Sequence, residues 1–482
     1  MLFNSLEFAF FLPLVFLLYW FVTKRSLKLQ NLLLLVASYF FYGWWDWRFL
    51  ALIAFSSLVD YWVGLRMART QEKPIRKILL GLSLIVNLGF LGFFKYFNFF
   101  AESFAEAFTM LGEPLEASRL QIILPVGISF YTFQTLSYSI DIYRRKLEPS
   151  KDIISFFAFV SFFPQLVAGP IERASNLLPQ FLKQRKFEYN EAVNGCKQIV
   201  WGLFKKMVIA DNCAEFANGI FSDPSVHSGS TLLFGVLLFS FQIYGDFSGY
   251  SDIAIGVARL FGFKLTRNFA YPYFSRNIGE FWRRWHISLS TWFRDYLYIP
   301  MGGSRGSRWQ QLRNIFIVFL VSGFWHGANW TFLCWGAVHA LLFIPLVWAK
   351  RNRSYLNDIE TKWLFPSFKE AVLILFTFLI VSLAWIFFRA ESMTEAFQYF
   401  RGIFSMSLFS EPEPLNNIKM LLLLPLILAL MVVEWIARKE EYGLEKWTRS
   451  WKKPIQWGFY YGLTMLIFLF KGTEQEFIYF QF

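Results

Sequence analysis

Ser322-Gly-Phe-Trp-His-Gly-Ala-Asn-Trp330 lies between two apolar stretches, residues 315–321 and 330–348, long enough to lie in a membrane. A helix crosses a hydrocarbon core of about 30 Å with about 20 apolar residues. This stretch therefore decides the fold class, a helical membrane protein. An ionisable side chain at that depth is costly, and by default it faces a cavity or a partner and has a function. His326 is such a side chain. Arg308 and Arg313 precede the pair of stretches, and Lys350, Arg351 and Arg353 follow it. Basic residues at both ends predict a tight hairpin that enters and leaves on the cytoplasmic side, with His326 toward its far end. One tilted or broken helix in its place would move the C-terminus inside.

Similar segments recur near residues 2–22, 30–46, 48–65, 77–97, 121–142, 194–216, 231–250, 370–389, 417–437 and 455–471. Hydrophobic residues are 56% of the 482, with 61 Phe and 20 Trp, and the mean hydropathy is +0.39. Repeated spans of that length have no place in a soluble core. The expectation is an all-α polytopic membrane protein with a single transmembrane domain over residues 1–482. The net charge of +13 is topological rather than a nucleic-acid patch. Basic clusters follow alternate spans: Lys24, Arg25 and Lys28; Arg66, Arg69, Lys73, Arg76 and Lys77; Arg144, Arg145, Lys146 and Lys151. Residues 101–120 carry Glu102, Glu106, Glu113 and Glu116 against Arg119. This alternation places the basic clusters inside, against anionic lipid. The chain opens directly into an apolar run with no basic n-region, so a retained first span is expected. Cys196, Cys213 and Cys334 have no metal-ligand spacing and read as small core residues.

Two segments resist a simple span. Residues 153–170 are apolar but contain Pro164, Gly169 and Pro170, with Lys151 before and Arg173 after. Non-helical backbone at membrane depth survives only where it is buried or lines a cavity, so a re-entrant loop is expected. Residues 271–300 mix Trp282, Trp285 and Trp292 with Arg276, Arg283, Arg284 and Arg294. That composition predicts an interfacial helix dipping into the protein. Residues 391–417 form the longest polar loop on the outer side, too short for a catalytic domain.

The chain has no HExxH, GxSxG or GxxxxGK[ST] motif, so metalloprotease, α/β-hydrolase and P-loop readings lose their usual support. What remains is histidine, with an ordinary pKa near neutrality that suits proton transfer. Of four histidines, His326 and His286 are each flanked by tryptophan. Gly323 and Gly327 beside His326 allow close approach of backbone or substrate, and Asn329 is placed to orient a carbonyl. The bland alternative for His326 is interhelical packing glue; for His286 it is a ring snorkelling from an aromatic helix. His227 reads as a solvated loop residue and His339 as a satisfied core residue. Asp246 and Asp252 end an apolar span. They either line a donor cavity, pair with Arg283 or Arg284, or fix helix ends as ion pairs. Arg276, Arg283, Arg284 and Arg294 suit either donor phosphates or cytoplasmic anchoring.

Gly279-Glu-Phe-Trp-Arg-Arg-Trp-His-Ile-Ser-Leu-Ser-Thr-Trp-Phe-Arg-Asp-Tyr-Leu-Tyr298 and Gly323-Phe-Trp-His-Gly-Ala-Asn-Trp330 resemble the membrane-bound O-acyltransferase (MBOAT) family. The resemblance is closer to its bacterial, alginate O-acetylation branch. It extends to Gly127-Ile-Ser-Phe-Tyr-Thr-Phe-Gln134, Phe162-Phe-Pro-Gln-Leu-Val-Ala-Gly-Pro-Ile-Glu172 and Asp246-Phe-Ser-Gly-Tyr-Ser-Asp252. The opening Met1-Leu-Phe-Asn4 and the closing Phe477-Ile-Tyr-Phe480 also match. The resemblance implies a ring of tilted helices around a buried active site. It carries the catalytic histidine onto His326 and the second polar residue onto His286. It implies acetyl-CoA as a cytoplasmic donor, with no tightly bound cofactor. The acetyl group is then expected to reach an extracytoplasmic polysaccharide, directly or through an SGNH-type partner with a serine–histidine–aspartate site.

The expectation is an inner-membrane acyltransferase for polysaccharide O-acetylation. His326 and His286 are its catalytic candidates; Arg283, Arg284 and Asn329 are its donor-binding candidates. Membrane lipid, the SGNH-type protein and the polysaccharide are the expected partners; nucleic acid and metal are not expected. A family rival transfers D-alanine to teichoic acids. A rival from another class is a transporter or flippase, against which stands the lack of inverted-repeat symmetry.

Overall fold

The computed structural model describes residues 1–112, 120–352, 354–356, 365–473 and 475–480. Glu113, Glu116, Arg119 and Arg353, used above for topology, lie outside them. Every regular element among the described residues is helical, with no strand. Six helices among them are long and apolar enough to cross a membrane: Trp47–Arg69, Lys73–Met110, Gly229–Leu260, Trp330–Trp348, Phe368–Arg389 and Ile418–Ile436. The other expected spans are also helical but are shorter or more polar, such as Leu27–Gly43, Ile128–Tyr143, Arg308–His326 and Lys453–Leu469. The chain forms two compact units, residues 1–195 with 257–266 and residues 196–256 with 267–482.

In the first unit, polar side chains tie apolar helices together. Asp60 is fully buried and accepts hydrogen bonds from Ser83, from Asn87 Nδ2 at 2.8 Å and from Ser139 at 3.1 Å. In hydrocarbon such bonds replace the water that a carboxylate would otherwise need. The span expected at 121–142 begins later, at Ile128. Gly127 adopts φ +75°, and a Cβ there would collide with the Leu166 carbonyl. Pro125 and this left-handed turn hold the preceding residues out of the helix. The segment 153–170 is broken as expected. Ile153–Ser161 is capped by Asp152, and the chain turns at Phe162 before the short helix Phe163–Leu166. The freed backbone is satisfied internally: Gln134 donates to the Phe159 carbonyl at 2.8 Å, and Phe163 N donates to Ser38 at 3.0 Å.

In the second unit, Arg308–His326 and Trp330–Trp348 form the expected hairpin, joined by three residues. Its helices approach closely because Gly323 faces the Phe332 backbone and Gly336 faces that of Phe319. Gly323 thus serves helix packing, not room for substrate. Two expectations are corrected here. Residues 271–300 are not one interfacial helix. They form short pieces, Pro272–Phe274, Ile278–Arg284, Ile287–Phe293 and Arg294–Tyr298, and Trp282, Trp285 and Trp292 are buried. The charges can enter because Glu280 pairs with Arg276 and Arg284, each at 3.0 Å. Residues 391–417 are not simply a loop; they carry the helix Met393–Ile403, capped by Ser392.

Candidate active site

His286 sits at the break between Ile278–Arg284 and Ile287–Phe293. Its backbone is left-handed, φ 44° and ψ 56°. For a residue with a Cβ this conformation costs on the order of 1–2 kcal/mol and persists only where the surroundings impose it. The side chain is 1% exposed. Its ring packs on Phe247 at 4.7 Å, Phe269 at 6.4 Å, Trp325 at 6.1 Å and Tyr479 at 6.4 Å between centroids. Nδ1 lies 3.0 Å from Asn268 Oδ1. Nε2 is buried without a hydrogen-bond partner. Burial drives the imidazole far below the ordinary histidine range, to about 3, so the ring is neutral.

His326 ends the helix Arg308–His326 and is 3% exposed. Its ring meets Trp325 at 4.8 Å, Trp335 at 5.2 Å, Phe388 at 5.3 Å and Tyr479 at 5.4 Å. The two histidines, forty residues apart in sequence, therefore share Trp325 and Tyr479 as ring neighbours. The Tyr479 hydroxyl is buried and makes no hydrogen bond. Sequence reasoning noticed the closing motif but gave Tyr479 no role. An aromatic residue near the end of an apolar chain carries no local signal of its destination.

Tyr479 is held in place by the Asp246-Phe-Ser-Gly-Tyr-Ser-Asp252 stretch. Ile478 N donates to Asp246 Oδ2 at 2.7 Å, and Lys206 Nζ donates to the Gln475 carbonyl at 3.1 Å. Lys206 also bridges Asp211 and Asp246, each at 2.8 Å. Asp252 pairs with Lys205 at 2.6 Å. The aspartates thus pair with lysines of the preceding helix and not with Arg283 or Arg284.

Arg283 and Arg284 line a cavity of about 410 Å³, together with Trp282, Ser290, Arg294 and Tyr355. Arg283 donates to the carbonyls of Asn352, Ser354 and Tyr355 at 3.1, 2.7 and 3.3 Å. Arg284 pairs with Glu280 and donates to the Ala270 carbonyl at 3.1 Å. Asn329 does not line this cavity. It caps Trp330–Trp348 by accepting from Thr331 N at 3.0 Å, and donates to the Glu391 carbonyl at 2.8 Å. His339 is fully buried and accepts from Trp282 Nε1 at 3.3 Å, a core residue as expected. His227 lies 3.0 Å from Glu413 Oε2 on a loop. Among the described residues, no group of three or more His, Cys, Asp or Glu is placed to hold a metal ion.

The sequence profile of the membrane-bound O-acyltransferase family matches residues 146–386. The chain is 40% identical to the probable alginate O-acetylase AlgI of Pseudomonas aeruginosa, over 93% of this chain and 84% of that protein. It is 38% identical to a peptidoglycan O-acetyltransferase of Helicobacter pylori, over 84% of this chain and 80% of that protein. Identity to a teichoic acid D-alanyltransferase of Streptococcus thermophilus is 28%, over 57% of this chain and 71% of that protein.

Proposed function

From the premise that this chain belongs to the membrane-bound O-acyltransferase family and is a multi-pass O-acyltransferase, we propose that it moves acetyl groups outward for O-acetylation of a secreted or cell-surface polysaccharide such as alginate. The reading takes residues 1–482 as one catalytic domain in a bacterial inner membrane. The donor is acetyl-CoA from the cytoplasm. The acceptor is reached directly or through an SGNH-type partner outside.

The observation that carries this reading is the convergence of His286 and His326 on the shared rings of Trp325 and Tyr479. In the transfer an acceptor hydroxyl oxygen bonds to the thioester carbonyl carbon, and the carbon–sulfur bond breaks. The hydroxyl proton passes to His326 and on to the leaving thiolate, giving an O-acetyl ester and a free thiol. His286 orients the reacting groups through Nε2, and the Tyr479 hydroxyl is a third polar group of the same ring cluster. Arg283 and Arg284 face a cavity suited to donor phosphates. Asn329 is assigned to the donor side from the sequence alone; its hydrogen bonds make it a helix cap.

The greater identity and coverage of the O-acetylating relatives favour acetyl over D-alanyl transfer. The test is purified protein in lipid vesicles with labelled acetyl-CoA and an acetyl acceptor. Histidine-dependent release of free CoA with label transfer is the expected result. No turnover of acetyl-CoA, or turnover unaffected by His326→Ala, overturns the proposal.

A further inference from the structure

Asn268 was singled out by no sequence motif, yet it is fully buried beside His286. Its side-chain oxygen faces three donors or potential donors: His286 Nδ1 at 3.0 Å, Ser288 Oγ at 2.9 Å and Ser288 N at 3.4 Å. Its Nδ2 donates to Ser251 Oγ at 3.2 Å. Its backbone carbonyl accepts from Ile287 N at 2.9 Å. One residue therefore holds the chain on the C-terminal side of a left-handed histidine and also holds the histidine ring.

The orientation of the amide follows from these partners. A flipped amide would turn its NH₂ group toward the Ser288 backbone N–H, donor against donor. The oxygen must lie on that side, and Nδ1, which shares it, must carry a proton. A neutral imidazole has one donor and one acceptor nitrogen, so Nε2 is the acceptor. Nε2 is the atom left buried without a partner. We propose that Asn268 is a positioning residue that locks His286 as the Nδ1–H tautomer, so that the Nε2 lone pair is presented to the reacting groups. Ser251 belongs to the Asp246–Asp252 stretch, so the same helix steadies Asn268 through Ser251 and seats the Tyr479 segment through Asp246.

The rings packed on His286 are those of Phe247, Phe269, Trp325 and Tyr479, of which the Tyr479 phenol is the titratable one. Lys205, Asp252, Arg267 and Glu434 share a small polar pocket with Asn268 but not with His286. A carboxylate in place of Asn268 would keep the Nδ1 bond while adding a charge that favours the imidazolium, an effect of about one to three pKa units for a close opposite charge.

The inference rests on the proposal that His286 takes part in transfer, so His286→Ala is measured first. If His286→Ala retains full activity, that reading fails. If it loses activity, Asn268 is tested by the pH dependence of acetyl transfer in vesicles. For Asn268→Asp the acid limb should move up by about one unit or more, with activity recovered toward neutral pH. For Asn268→Ala, kcat should fall about tenfold with donor KM unchanged and no shift of the profile. An Asn268→Asp enzyme that follows the wild-type profile, or whose loss is equal at every pH, overturns the proposal. So does wild-type kcat in Asn268→Ala, which decides the matter alone where Asn268→Asp does not accumulate.

Discussion

Asp246→Asn separates the seating of Tyr479 from the chemistry of the histidines. The two carboxylate oxygens of Asp246 do different work: Oδ1 is 2.8 Å from Lys206 Nζ and Oδ2 accepts from Ile478 N at 2.7 Å. Asparagine has one acceptor oxygen, and its NH₂ must face either the ammonium or the backbone N–H. Lys206 keeps Asp211 at 2.8 Å, so the ammonium is not stranded. The loss is then one buried, charge-assisted bond with its donor left unmatched, about 1–3 kcal/mol. A domain with about 5–15 kcal/mol of stability survives that loss. Thermal unfolding in detergent should shift down by only a few degrees. Activity should fall much further, by about tenfold or more, because a released Ile478 lets Tyr479 leave the rings of His286 and His326. Asp246→Ala removes both bonds and should cost more than Asp246→Asn, with Lys206 still held by Asp211. The assay is acetyl transfer per unit of folded protein, with melting followed in parallel. Wild-type turnover in Asp246→Asn, or activity lost only in proportion to unfolded protein, refutes this account of how the C-terminal segment is held.

His326→Ala should lower acetyl transfer by about a hundred-fold or more at near-normal membrane levels, and His286→Ala should leave more residual activity. Immunoblots of membranes beside the transfer assay check both, and equal residual rates would remove the division of roles. Tyr479→Phe keeps the ring packing and deletes only the hydroxyl. It should leave melting unchanged and slow transfer by about tenfold, whereas an unchanged rate would reduce Tyr479 to packing. Arg283→Ala and Arg284→Ala should raise the donor concentration needed for half-maximal rate more than they lower the rate at saturation. Steady-state titration of acetyl-CoA decides it, and an unchanged donor dependence would make these arginines structural.

Hydropathy is a local property, and what depended on it was legible in the chain. The expected spans correspond to helices, the break inside 153–170 follows from Pro164, Gly169 and Pro170, and the hairpin around His326 follows from two apolar runs bounded by arginine and lysine. His286 and His326 stood out because a membrane protein with four histidines has little reason to place two beside tryptophans. Pairing is different, because it depends on which distant residue arrives. Nothing in the sequence tells Asp246 to choose Lys206 over Arg284, or Arg284 to pair with Glu280. The aromatic segment 271–300 looked interfacial because its charges were counted singly; paired inside the protein, they cost little enough to be buried. Asn268 and Tyr479 lacked any motif-level signal. Their importance comes from side chains 18 residues away for Asn268 and, for Tyr479, from a hydrogen bond 232 residues long in sequence at Ile478. The sequence determined that this chain spans a membrane and where its unusual histidines lie. Only tertiary packing decided what those histidines face, because the contacts that orient a buried ring come from segments far away in the chain.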